Sequence, residues 1–145
     1  MIIIPQLDIA EMLLEEGVVQ QGQVFLDYRP AWSEIGQQFD TSVTVRLTTG
    51  TSNPRWARDN LAITIHVSGR NRQHIEQVET LAYQIYNHLV GHPTVTRGDY
   101  VYTQFNSVAF PQLVGYEDNS MPLYTCSISL VREAQVKEGN RDPLC

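Results

Sequence analysis

Cysteine is scarce in this chain: two residues in 145, Cys126 and Cys145. That count leaves no disulfide framework. Cys126 sits in an apolar strand pattern and Cys145 is the last residue, so both read as free thiols in a reducing compartment. Long apolar runs are missing as well. Met1-Ile2-Ile3-Ile4-Pro5 is far too short for a signal peptide and has no basic flank. No stretch approaches the roughly 20 apolar residues of a membrane span, and the expectation is a soluble protein, intracellular when made. Basic residues are few, with Lys+Arg 10 against Asp+Glu 16 and a formal net charge of −6. An acidic chain lacks the basic face that marks a nucleic-acid binder. The motifs of common chemistry are absent too. There is no Gly-x-Ser-x-Gly elbow and no Gly-x-x-x-x-Gly-Lys phosphate loop.

What the chain does contain is alternation, interrupted by one strong helical period. Its length suits a single domain, large enough to bury roughly 68–70% of the surface its unfolded form exposes. The pattern Asp8-Ile9-Ala10-Glu11 predicts a capping box with Asp8 as N-cap, opening a short helix over residues 8 to 16 that Gly17 stops. Gln23–Tyr28 alternates as a strand, and residues 30 to 40 have no period and read as a loop. Ser42–Thr49 alternates again, followed by a loop over residues 50 to 60 that holds Gly50, Asn53 and Pro54. Leu61–Val67 is the clearest strand, with Leu61, Ile63, Ile65 and Val67 on one face and Ala62, Thr64 and His66 on the other. Asn71 then reads as N-cap of a helix over Arg72–Val90. That helix carries Ile75, Val78, Ala82, Ile85 and Leu89 on one stripe, with Leu81 and Tyr86 beside it. The remaining strands are Tyr100–Ser107, Gln112–Tyr116 and Leu123–Val131, with a turn over Glu117–Ser120. The expected architecture is α+β: a mainly antiparallel β-sheet with a short N-terminal helix and one long helix packed on one face. Residues 1 to 132 form the single domain, and 133 to 145 read as a polar C-terminal tail.

His88 and His92 are four apart, but Gly91 intervenes and no Cys, Asp or Glu nearby in the sequence completes a ligand set, so no metal site is expected. His66 reads as a solvated or interface residue. Cys126 shares its face with Tyr124 and Ile128 and would be a poor thiolate. Glu117-Asp118 suits an acid/base pair less well than a turn. No catalytic or cofactor-binding residue emerges, and the chain does not read as an enzyme. Arg55, Trp56 and Arg58 form a basic-aromatic loop. Such a loop can stack on bases, pack against its own domain, or meet a protein partner. On an acidic chain the protein contact is the better-supported use. Trp32, Phe39, Arg55, Trp56, Arg58, Glu117, Asp118 and Asn119 are the candidate interface residues, and Trp56→Ala is expected to spare the fold and weaken assembly.

Two segments and their order resemble the tail terminator (minor capsid, tail completion) proteins of long-tailed bacteriophages. One is Ile63-Thr64-Ile65-His66-Val67-Ser68-Gly69 feeding the helix of Leu81-Ala82-Tyr83-Gln84-Ile85-Tyr86-Asn87-His88-Leu89. The other is the Gly115–Asn119 turn leading into Leu123–Val131. A short helix ending at Gly17 before the strand Gln23–Tyr28 agrees with the same order. Where the family often has Gly-Arg after the turn Asn, this chain has Ser120-Met121-Pro122. The resemblance implies a structural virion protein of the tail or neck, made in the host cytoplasm. It implies a hexameric ring of identical subunits that ends the tail tube and meets the head-tail connector or stopper protein. DNA would pass through the lumen without sequence-specific binding, and like charge on the wall would keep it from sticking. The ring would use two different patches on each subunit. Another neck, head-completion or tail tube protein is the neighbouring alternative, and a small ligand-binding or enzymatic α+β domain the remoter one.

Overall fold

The computed structural model describes residues 4–53, 58–117 and 121–134. It contains helix α1 (Pro5–Glu15), strand β1 (Val24–Leu26), a one-turn helix α2 (Trp32–Ile35) and strands β2 (Thr41–Asn53) and β3 (Arg58–Gly69). A 3-10 turn (Arg72–His74) leads into helix α3 (Ile75–Leu89), followed by β4 (Val95–Arg97), β5 (Tyr100–Glu117) and β6 (Met121–Ala134). The six strands form one sheet in the order β1-β2-β3-β6-β5-β4. Only the β1–β2 pair is parallel, so the sheet is mixed and mainly antiparallel. The α+β class stands. Among the described residues, no helix is long and apolar enough to cross a membrane.

The core follows the alternation. Leu61, Ile63, Ile65 and Val67 of β3 and Tyr124, Cys126, Ile128 and Leu130 of β6 are buried, while Ala62, Thr64, His66, Thr125, Ser127 and Ser129 between them are less so. They share one apolar cluster with Val78, Leu81, Ala82, Ile85, Tyr86 and Leu89 of α3 and with Ile9, Met12 and Leu13 of α1. Burial of this kind contributes about 1.5–3 kcal/mol for each large aliphatic side chain. Outside that face the strands tie hydroxyl to hydroxyl: Thr64 lies between Thr48 and Ser127, 3.2 Å from the latter.

Several local expectations change. The first helix starts at Pro5, not after Asp8, because proline is already set for the first helical turn and has no N–H to leave unbonded. Asp8 is therefore inside the helix and buried, and Glu11 pairs with Arg97 at 3.1 Å instead of closing a capping box. Gly17 does end the helix, at φ +78, with its N–H bonded to Leu14 and that of Val18 to Leu13. The 30–40 segment contains α2. The expected loop over residues 50 to 60 is strand at both ends, since β2 runs to Asn53 and β3 begins at Arg58. Tyr100–Ser107 and Gln112–Tyr116 are one strand, β5, whose pairing with β6 slips at four places. Pro111 does not break it because β5 has no outer neighbour there to need its missing N–H. Strand β6 continues past the expected end at Val131 through Glu133 to Ala134, paired with Arg58 and Tyr100.

Candidate assembly interface

The two ends of the strand order are open over most of their length. Strand β1 covers β2 only at Val43–Val45, and β4 covers β5 only at Tyr100–Tyr102. Arg46–Asn53 and Thr103–Glu117 thus carry one row of backbone groups without a strand partner among the described residues. Such rows are templates for pairing with another chain. The sheet curls, so that Thr49 and Thr51 of β2 and Gln104 and Asn106 of β5 line one concavity of about 340 Å³ with Asn60, Leu61 and Ser129.

The open part of β5 is also apolar on its surface. Val108 is 59% exposed, Phe110 69% and Val114 60%, and Leu113 and Tyr116 are exposed beside them. Isolated apolar residues on a surface need no explanation, but five within nine residues form a patch of the kind that marks interaction sites. Helix α3 supports this stretch from beneath. Tyr86 donates to Ser107 Oγ at 2.6 Å and its ring lies 5.7 Å from that of Phe110, while Tyr83 donates to the Pro111 carbonyl at 3.4 Å. The strip is held in place by the core and turned away from it.

This patch was missed in the sequence, although a signal existed. In Val108-Ala109-Phe110-Pro111-Gln112-Leu113-Val114 apolar residues occupy both parities, which a strand with one buried face cannot accommodate. Of the residues expected at the interface, Trp32 has two guanidinium groups over its ring, that of Arg29 at 5.1 Å and that of Arg70 at 4.7 Å from the centroid. Phe39 is buried, and its carbonyl accepts from Arg70 at 2.9 Å, which removes its ring from the surface of the single chain. Arg58 faces Glu133 across the β3–β6 ladder at 3.9 Å, an exposed pair of small energetic value. Glu117 ends β5. Arg55, Trp56, Asp118 and Asn119 lie outside the described residues. Trp32 and Phe39 meet at Arg70, just past one end of β3, while Arg58 stands at the other end of that strand.

Polar groups gather elsewhere. Asp27, Arg29, Arg46, His66 and Ser68 line an open concavity of about 300 Å³ beside β1 and β2. Burial pushes the Cys126 thiol up to about 12, so it stays protonated and unreactive at neutral pH. No protein-family model matches the chain, and neither does any curated protein.

Proposed function

We propose that this chain is a structural virion protein, a tail terminator that closes into a hexameric ring, ends the tail tube and joins it to the head connector. The single observation that carries the reading is the pair of unlike open edges. Arg46–Asn53 at one end of the strand order and the apolar Val108–Tyr116 strip at the other are two different patches. Joining one edge to the other edge of the next copy is heterologous, the kind of joint that makes a ring when the rotation between copies closes. Both segments that carry the resemblance occupy the centre of the fold. Ile63–Gly69 leads through the 3-10 turn into α3, whose apolar stripe shares the core cluster with β3, and Leu123–Val131 lies in β6, the strand paired beside it. The acidic balance suits a lumen through which DNA slides without being held. Tail tube protein and connector or stopper protein are the remaining partners.

The same edges would serve a tube protein, which stacks without limit. Native mass measurement of the purified chain across a concentration series separates the readings. A terminator gives a closed hexamer that grows no further. Open-ended stacks favour the tube protein, and a monomer at every concentration overturns both.

A further inference from the structure

His92 sets both ring nitrogens against oxygen. Its Nδ1 lies 2.7 Å from the Pro93 carbonyl, and its Nε2 lies 2.9 Å and 3.1 Å from the two carboxylate oxygens of Glu16. A carbonyl only accepts, so Nδ1 carries the proton of the neutral ring. Nε2 then points a lone pair at a carboxylate, and something positive must lie between them, either a second proton or a cation. His88 brings its own Nε2 to the same Glu16 oxygen. One carboxylate and two imidazole nitrogens converge, with their ligand atoms within 4.8 Å of one another.

The backbone builds this convergence from three distant places. The Gly17 turn leaves Glu16 at the C-cap of α1, 72 residues before His88. His88 sits in the last turn of α3. Gly91 then takes φ +76, a conformation that costs other residues energy, and donates its N–H to the Phe105 carbonyl at 2.8 Å. The chain doubles back, His92 bonds to the Leu89 carbonyl, and the two imidazoles meet edge to face at 5.3 Å. The Phe105 ring flanks His92 at 5.2 Å.

We propose that Glu16, His88 and His92 bind a divalent transition-metal ion of the zinc class, which clamps the end of α1 to the end of α3. Two imidazoles and a carboxylate are the donor set zinc takes when one position stays open. The Pro93 carbonyl plays the orienting part that metal-bound histidines use, fixing the tautomer so that Nε2 is free to ligate. Tetrahedral ligands at about 2.0–2.1 Å from an ion stand about 3.3 Å apart, within reach of this cluster by small side-chain rotations. The fourth position opens to solvent, since the Glu16 and His88 side chains are each 31% exposed. The rival arrangement is a cluster held by protons alone, two imidazolium rings at helix ends whose dipoles favour positive charge.

The full chain without an affinity tag, stripped with chelator, distinguishes them. Titration with Zn²⁺ should give one ion per chain and a rise in the melting midpoint that Mg²⁺ does not produce. Co²⁺ should give the visible absorption of a tetrahedral site. X-ray absorption of the zinc-loaded wild type should show two imidazoles at the ion. His88→Gln and Glu16→Gln should each weaken zinc binding by roughly tenfold or more, with His66→Gln and His74→Gln unchanged. A wild-type chain that retains no zinc, or His88→Gln and Glu16→Gln variants that bind it as well as the wild type, overturns the site and leaves a proton-held ion cluster.

Discussion

Tyr102 of β5 donates its phenolic hydrogen to the Asp8 carboxylate of α1, across 94 residues of chain and inside the core, where both side chains are almost wholly buried. This bond ties the first helix to the far half of the sheet. Removing the hydroxyl leaves a buried carboxylate without its donor, and that loss exceeds the modest net value of a hydrogen bond. Tyr102→Phe should therefore cost about 1–3 kcal/mol by urea denaturation. Adding Asp8→Leu should restore part of the loss, because the orphaned charge is then gone. A Tyr102→Phe protein as stable as the wild type would mean that water satisfies Asp8.

Alkaline pH should loosen the fold. Burial first, and then the Asp8 hydrogen bond, push the Tyr102 hydroxyl well above its ordinary 10.0. The bond to Glu79 and burial raise Tyr124 to about 12, and burial raises Cys126 from 9.0 to about 12. In each case the folded protein holds a proton that the unfolded chain has already released. Stability contributed by these groups is complete below their unfolded values. It declines as pH rises from about 9 toward 12, because there the native state binds more protons. Melting midpoints measured across that window should fall steadily. A flat profile contradicts the shifts.

Gly69 ends β3 where α3 passes over it. A Cβ there would meet Val78 Cγ2 at 2.8 Å and Pro122 Cγ at 3.1 Å. Both neighbours are stiff, one β-branched and one a ring. Gly69→Ala should cost about 1–3 kcal/mol through overpacking, and Gly69→Ala combined with Val78→Ala should recover part of it. A neutral single variant would show that the helix can retreat at no cost.

Ile85 is fully buried on the α3 stripe, within the cluster shared by both helices and the sheet. Ile85→Asp adds an unpaired buried charge to a lost side chain, so a loss of roughly 3–5 kcal/mol is expected. Ile85→Val should cost only about 0.5–1.5 kcal/mol. Circular dichroism against denaturant reads both.

The exposed strip behaves in the opposite way. Val108→Ser with Val114→Ser should change the stability of the single chain by no more than about 0.5 kcal/mol, because both side chains already face water. Sedimentation should nevertheless show a weakened oligomer. If assembly is untouched, the β5 edge is not the joint between copies.

The elements with a clean period were legible in the residues. Leu61–Val67 and Leu123–Val131 alternate because each has one face in the core, and Ile75 to Leu89 repeats at helical spacing because one stripe of that helix does. Strand β5 resisted reading because it is buried over one end and exposed over the other, so no single period spans it. The three-residue strand β4 is too short to carry a pattern and exists because its longer neighbour β5 accepts it. Asp8 shows the same limit from the other side, since its capping pattern is a local signal that Pro5 and a distant tyrosine outweigh.

Side-chain periodicity is a property of neighbours along the chain, and so the sequence alone determined the α+β class, the long helix and most of the core. It also set the acidic balance and the absence of familiar catalytic motifs. Tertiary structure decided what depends on residues far apart: the strand order with its two open edges, and the apolar strip that α3 supports but does not cover. It also decided the meeting of Glu16 with His88 and His92. Those contacts form only once the sheet has curled and both helices have docked, because the distances that matter there are set by packing and not by spacing in the chain.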